Sequence, residues 1–123
     1  MVFDHIGLNV SDFAASKAFF VQALQPLGIA ITMEGDSWAM VGRQGEGQLW
    51  FGSFGNSPGS IHVAFAAKTR EQVRQFHAAA LAAGAKDNGP PGLRPHYHND
   101  YYGAFVVGPD GHNIEAVCHG AEP

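Results

Sequence analysis

The chain has 123 residues, enough for one domain with a real hydrophobic core but too few for two ordinary domains. Hydrophobic residues make up 46% of the chain and charged residues only 15%, which excludes a disordered protein. The net charge of −4, without a run of Lys and Arg, lacks the electrostatic footprint of a nucleic-acid-binding protein. No apolar stretch approaches the roughly 18 residues of a membrane span. Because the start also lacks the pattern of a signal peptide and Cys118 is the single cysteine, we expect a cytoplasmic protein.

The first part of the chain predicts one strand, one helix and three further strands. Alternation over 2–10 predicts a strand in which His5 and Gly7 share a face. Ser11 is a preferred residue for capping the helix that follows. Gly-containing turns then separate three short strands, predicted over 29–34, 37–42 and 47–54.

The same order of elements is predicted again after a Gly- and Pro-containing linker over 55–59. A strand over 60–67 leads into a helix whose first turn, from Thr69 to Gln72, has the form of a capping box. Gly84 is a plausible end for this helix. Further strands are predicted near 85–86, over 101–107 and over 112–118, with a loop over 88–99 whose three prolines exclude regular structure.

The two halves form an internal repeat. A shift of 57 residues places His5 on His62, and the same shift superimposes apolar positions of the strands and helices. Matches between apolar positions arise easily by chance, whereas the shared order of elements is stronger support. We therefore predict one domain over 1–123, with a first module over 1–55 and a second over 59–120.

Three short segments of this repeat resemble the vicinal oxygen chelate superfamily, which includes glyoxalase I, extradiol dioxygenases, fosfomycin-resistance thiol transferases and bleomycin-sequestering proteins. The segments are Asp4-His5-Ile6-Gly7, Ile61-His62-Val63-Ala64-Phe65 and Pro109-Asp110-Gly111-His112-Asn113-Ile114-Glu115. The resemblance implies an α+β fold in which two tandem βαβββ modules form curved mixed sheets around a metal-binding cavity. It also implies a homodimer, since many small members are dimers and some exchange modules between chains.

The resemblance implies a metal site made of His5, His62 and Glu115, which match the family's ligand positions. Two imidazoles and one carboxylate leave coordination positions open and suit one divalent ion of Fe, Mn, Zn or Ni. The alternative is that each of the three is a hydrogen-bonded, partly buried polar side chain.

One departure from the family's pattern concerns a fourth ligand, a carboxylate that some relatives carry in the first module. Aligning the turns places Leu49 opposite Glu115, and a shift of one residue places Trp50 there. Neither side chain binds a metal ion, so the chain resembles a three-ligand member. We assign Trp50 to the wall of the cavity as a substrate-binding residue, although core packing explains it equally well.

The stretch 94–102 is the densest group of polar and aromatic residues, and we interpret it as a second part of the site. Arg94 is expected to bind an anionic substrate group, with Tyr101 beside it. His96, His98 and Tyr102 are the candidate proton-transfer residues. Adjacent tyrosines lie on opposite faces of a strand, so at most one of them faces the cavity. The alternatives are a loop that packs on a sheet edge or a dimer partner, and a second metal site on the two histidines.

The other candidate residues carry less weight. His77 is expected at the surface or packed on the sheet, whereas His112 and His119 are expected to be exposed to solvent. Cys118 is expected to be a small buried residue rather than a nucleophile.

The resulting functional hypothesis is a metalloenzyme that binds a small molecule through neighbouring oxygens. Isomerase, ring-cleaving dioxygenase and thiol transferase reactions all stay open, because fold and ligand set do not fix the reaction. One rival is a non-catalytic binding protein of the antibiotic-sequestering kind. Another is a domain that serves assembly or regulation, for which the three ligand positions would be dispensable.

Overall fold

The computed structural model describes residues 4–53 and 61–121, so the predicted linker over 55–59 lies outside the described residues. Besides two short 3₁₀ helices, Gln25–Leu27 and Pro109–Gly111, ten elements are found in this part of the chain. They are β1 (Ile6–Asn9), α1 (Phe13–Leu24), β2 (Ala30–Glu34), β3 (Trp38–Arg43), β4 (Glu46–Gly52), β5 (His62–Ala66), α2 (Arg70–Ala82), β6 (Lys86–Leu93), β7 (Tyr102–Val107) and β8 (Asn113–Cys118).

The strands form two four-stranded mixed sheets with the same topology. Their orders are β1-β4-β3-β2 and β5-β8-β7-β6, and in each sheet the first strand pairs parallel with the last while the other pairs are antiparallel. The α+β class with two mixed sheets is therefore confirmed. Neither described helix is long and apolar enough to cross a membrane.

Both sheets contribute to one hydrophobic core that also contains both helices. Phe20 and Phe51 are packed 4.8 Å apart between ring centres on the side of β4, and Phe76 and Ile114 are fully buried on the side of β8. Because side chains alternate along a strand, the other face of each sheet turns away from this core. We call these two surfaces the outer faces, one for each sheet.

The helix starts follow the chemistry of their caps, with one difference from expectation. Asp12, not Ser11, caps α1, because the Asp12 carboxylate accepts a hydrogen bond from the Ala15 backbone at 3.0 Å. The capping prediction for α2 is confirmed: the Thr69 hydroxyl accepts from the Gln72 backbone at 3.1 Å.

The prediction of a loop over 88–99 was wrong for its first part, because β6 continues to Leu93 through Pro90 and Pro91. This strand lies at the edge of its sheet. Proline is tolerated there, because its missing N–H can face the side that has no neighbouring strand. The register with β7 also shifts on both sides of Gly89, so the prolines fall where regular pairing is interrupted.

His112 links the two modules and is not exposed, contrary to the prediction. Its side chain is 2% exposed, its Nδ1 accepts from the Ile61 backbone at 3.0 Å, and its Nε2 lies 3.3 Å from the Asn9 carbonyl. Since Nδ1 accepts, we assign the ring hydrogen to Nε2, which donates to Asn9. A second link runs from the Ser11 backbone to the Asp110 carboxylate at 2.9 Å. These bonds connect the end of β1 to the starts of β5 and β8.

Candidate metal and substrate site

The outer face of the second sheet carries a histidine–carboxylate pair. His62 begins β5, Glu115 lies two positions along the neighbouring β8, and their Nε2 and Oε1 atoms are 2.8 Å apart. The Glu115 side chain is 1% exposed and that of His62 is 52% exposed. The pair therefore combines a carboxylate sheltered from water with an imidazole that solvent and ligands can reach.

Tyr101 forms a hydrogen bond with the second carboxylate oxygen of Glu115. Its hydroxyl donates to Glu115 Oε2, and burial and this hydrogen bond raise the pKa of Tyr101, with the positive charge of Arg94 acting in the opposite direction. The phenol is thus held in its neutral, donating form. Tyr101 therefore fixes the orientation of the carboxylate.

Gly103 makes room for this arrangement. A Cβ atom there would lie 3.2 Å from both Glu115 Oε2 and the Tyr101 ring. Sequence reasoning missed this residue and Phe105, although an alternating pattern over Tyr101, Gly103 and Phe105 was available. The antiparallel register places Phe105 opposite Glu115, and the Phe105 ring centre lies 6.2 Å from that of His62.

Arg94 lies on the same outer face. Its guanidinium carbon is 5.4 Å from the centre of the Phe105 ring. The terminal nitrogens donate to the carbonyls of Gly92 and Pro90, both at 2.9 Å. The structure therefore brings the predicted residues Arg94, Tyr101, His62 and Glu115 onto one surface.

The outer face of the first sheet holds the remaining candidates. His5, Gly7, Met40 and Trp50 line an open hollow of about 520 Å³. The Trp50 ring covers Gly7, where a Cβ atom would lie 2.9 Å from the indole. His5 is exposed, and its Nδ1 is paired with Asp4 at 2.7 Å.

Within one chain His5 does not join His62 and Glu115. Among residues 4–53 and 61–121, no three His, Cys, Asp or Glu side chains come together in a way that could hold a metal ion. The reason is architectural, because the core separates the two outer faces that carry these residues. One chain therefore presents His62 and Glu115 on one outer face and His5 on the other.

Tyr102 does not share the face of Tyr101, so the structure does not bring this proton-transfer candidate to the His62–Glu115 pair. It packs against the core, and Arg74 donates to its hydroxyl at 3.2 Å. Arg70 also lies over its ring, 5.2 Å from the centre. The predicted opposition of the two tyrosines is thus found, with Tyr101 on the side of Glu115.

The histidines of the loop lie at the margin of the site. His96 is exposed and stacks on Tyr97, with 4.2 Å between ring centres. His98 accepts from the Asp100 backbone through Nδ1 and lies 5.7 Å from the ring of His119. His119 is exposed as predicted, but its ring also packs edge-on against Tyr101 at 5.2 Å, a role that its place near the end of the chain did not suggest.

The donor atoms fit a divalent metal ion. Two ligands bound at about 2.1 Å lie about 3 Å apart at the right angles of octahedral coordination and about 3.4 Å apart in the tetrahedral geometry of zinc. The hydrogen-bonded separation of 2.8 Å between His62 Nε2 and Glu115 Oε1 is closer to the first of these values. The hydrogen bond from Tyr101 is the outer support that ligating carboxylates commonly have.

Comparison with known proteins identifies the family. The model of the glyoxalase/bleomycin resistance protein/dioxygenase superfamily matches residues 2–116. The chain therefore belongs to this superfamily, as its sequence motifs implied. No curated protein matches the chain.

Solved structures of the superfamily share the fold. A glyoxalase/bleomycin resistance protein from Albidiferax ferrireducens T118 is 30% identical, covers 96% of this chain and 98% of its own, and superimposes with a TM-score of 0.82. A superfamily enzyme from Burkholderia phytofirmans PsJN is 19% identical over 94% of this chain and 96% of its own, with a TM-score of 0.71. A glyoxalase-related enzyme from Fulvimarina pelagi is 20% identical over 96% and 88%, with a TM-score of 0.73. The last two similarities concern the fold alone.

Proposed function

We propose that the protein is a metal-dependent enzyme that acts on a small molecule with neighbouring oxygen atoms. The observation that carries this proposal is the His62–Glu115 pair at 2.8 Å, with Tyr101 oriented onto the same carboxylate. A ligand pair for a divalent cation explains why a fully buried carboxylate faces away from the core.

The third ligand, His5, comes from a second copy of the chain in this proposal. The outer face with His5, Gly7, Met40 and Trp50 is open in one chain. Among the described residues, no third His, Cys, Asp or Glu side chain joins His62 and Glu115 on the other face. A two-fold dimer that places one face of each copy against the other face of its partner completes two equivalent sites. This arrangement requires a homodimer.

The residues around the His62–Glu115 pair have separate roles in this proposal. A bound divalent ion supplies Lewis-acid polarisation of substrate oxygens. Tyr101 holds the carboxylate ligand, while Arg94 and Phe105 bind and orient the remainder of the substrate. The proton-transfer candidates His96 and His98 are each linked to Tyr101 through one ring, His96 through Tyr97 and His98 through His119.

The test is the metal content of protein purified without a chelator or an affinity tag, measured by inductively coupled plasma mass spectrometry. We expect about one ion per chain in the parent and a large loss in Glu115→Ala and His5→Ala. Glu71→Ala, which removes an exposed carboxylate on α2, is the matched control and should keep the ion. No ion in the parent after addition of Fe, Mn, Zn and Ni in turn would contradict the proposal.

A second candidate function is non-catalytic binding of an aromatic small molecule. The hollow beside Trp50 and Met40 favours it, because Trp50 stands where the second sheet has a carboxylate. Quenching of tryptophan fluorescence by an aromatic ligand in protein that holds no ion would favour this candidate. Metal content that depends on His5 would exclude it as the main function.

A further inference from the structure

Arg94 is held in a fixed position on the same outer face as the His62–Glu115 pair, which we call the metal half-site. Two of its N–H groups are committed to the carbonyls of Pro90 and Gly92. The backbone leaves space for this, since a Cβ atom at Gly89 would lie 3.1 Å from Nη2 and one at Gly92 would lie 3.2 Å from Nη1. Gly89 also has a φ of +151°, which side-chain-bearing residues rarely adopt.

No carboxylate in the described part of the chain neutralises the charge of this guanidinium. In the described ranges, 4–53 and 61–121, no carboxylate lies within ion-pair distance of Arg94. The sheltered acid of the same face, Glu115, has one oxygen on His62 and the other on Tyr101. A guanidinium has five N–H donors, so donors beyond the two bonded ones stay available for a ligand.

Phe105 places this cation next to the metal half-site. Its ring centre lies 5.4 Å from the Arg94 guanidinium carbon and 6.2 Å from the His62 ring centre, so the cation and the imidazole border the same aromatic ring. A planar guanidinium binds a carboxylate through two parallel hydrogen bonds, and its fixed position lowers the entropy lost on binding.

We propose that the substrate is a small carboxylic acid whose carboxylate binds to Arg94 while its other oxygens lie at the His62–Glu115 pair. The placement of the other oxygens at the pair rests on the proposed function, whereas the binding of the carboxylate by Arg94 does not. The hollow beside Trp50, supplied by the second copy, suits an apolar or aromatic body for this acid.

The test measures binding of acetate, benzoate, benzamide and inorganic phosphate by calorimetric titration, with protein as purified and after removal of metal by chelation. Binding of benzoate to the metal-free sample tests the Arg94 subsite even if the metal proposal fails. We expect benzoate to bind at least about tenfold more tightly than neutral benzamide, because the hydrogen bonds to the guanidinium are charge-assisted.

Variants assign the binding to one residue. Arg94→Met should weaken benzoate binding at least about tenfold, and Arg94→Lys, which keeps the charge but loses the planar fork, should give an intermediate loss. Arg74→Met is the matched control, because it also removes one arginine that lies over an aromatic ring, and it should change binding by less than about twofold. Equal binding of benzoate and benzamide, an unchanged affinity in Arg94→Met, failure of both carboxylates to saturate the protein, or tighter Arg94-dependent binding of phosphate would each overturn the carboxylate assignment.

Discussion

Trp50 and Glu115 occupy equivalent positions in the two sheets. Trp50 lies opposite Gly7 in the parallel pair of β1 and β4, and Glu115 lies opposite Ala64 in the pair of β5 and β8. Gly7 and Ala64 are related by the same 57-residue shift that relates His5 to His62. The second sheet thus pairs His62 with a carboxylate, whereas the first sheet places the Trp50 indole in the same hollow as His5. The two outer faces therefore differ in chemistry: one supplies charge and the other apolar surface.

Tyr101→Phe should weaken metal binding by about 10- to 100-fold without loss of fold, because the carboxylate ligand loses its outer hydrogen bond. Competition with a coloured chelator measures the dissociation constant. Tyr97→Phe, which alters a neighbouring ring that packs 5.0 Å from Tyr101, is the control and should leave the constant unchanged. An equal affinity in parent and Tyr101→Phe would show that Tyr101 does not support the site.

Gly103→Val should reduce the metal content well below that of the parent, because even a Cβ atom there lies 3.2 Å from the Glu115 carboxylate and from the Tyr101 ring. The bulkier side chain forces one of these groups out of place. Gly120→Ala is the control, since its Cβ atom would meet only an ordinary contact of 3.7 Å with Cys118. Elemental analysis of both variants, with circular dichroism to verify folding, checks this. Full metal content in Gly103→Val would argue against the geometry described for Glu115.

Much of this architecture was predictable from local patterns. The cap of α2 and the alternation along the strands are encoded by neighbouring residues, and for that reason the order of elements and the position of Glu115 on the last strand were predicted. The separation of His5 from His62 was not predictable, because it depends on how the two sheets share one core. The burial of His112 was missed for the same reason: both of its partners, Asn9 and Ile61, are distant in sequence.

His112→Leu should lower the free energy of unfolding by about 2–4 kcal/mol, because the Ile61 N–H and the Asn9 carbonyl both lose their partner in a buried place. Urea denaturation followed by tryptophan fluorescence measures the change. The exposed His119→Gln serves as control, with an expected change within about 0.5 kcal/mol. A loss no larger than that of the control would mean that the link through His112 does not stabilise the pairing of the modules.

Asp110 should make stability sensitive to acid. Burial acts to raise the pKa of this carboxyl, but the hydrogen bonds from Ser11 and the nearby His112 together outweigh it and hold the pKa below its ordinary value. A lowered pKa in the folded state gives stability that is present above the unfolded-state pKa of about 3.9 and is lost as the pH falls through the folded-state pKa. Asp110→Asn, which also tolerates the positive φ of 64°, should therefore lose less stability than the parent between pH 6 and pH 3. Parallel urea denaturation curves in that range are the measurement, and identical slopes against pH would contradict it.

The most direct test of the account is metal binding by a mixed dimer of His5→Ala and Glu115→Ala chains, co-expressed with two different cleavable tags and purified by both. If the site is shared between copies, this dimer keeps one site with His5, His62 and Glu115. The other site lacks both His5 and Glu115. We predict about one tightly bound ion per mixed dimer and little in either variant alone, because a two-fold dimer has two equivalent sites. A mixed dimer that binds no more metal than the two separate variants, or failure to recover any mixed dimer, would contradict the shared site.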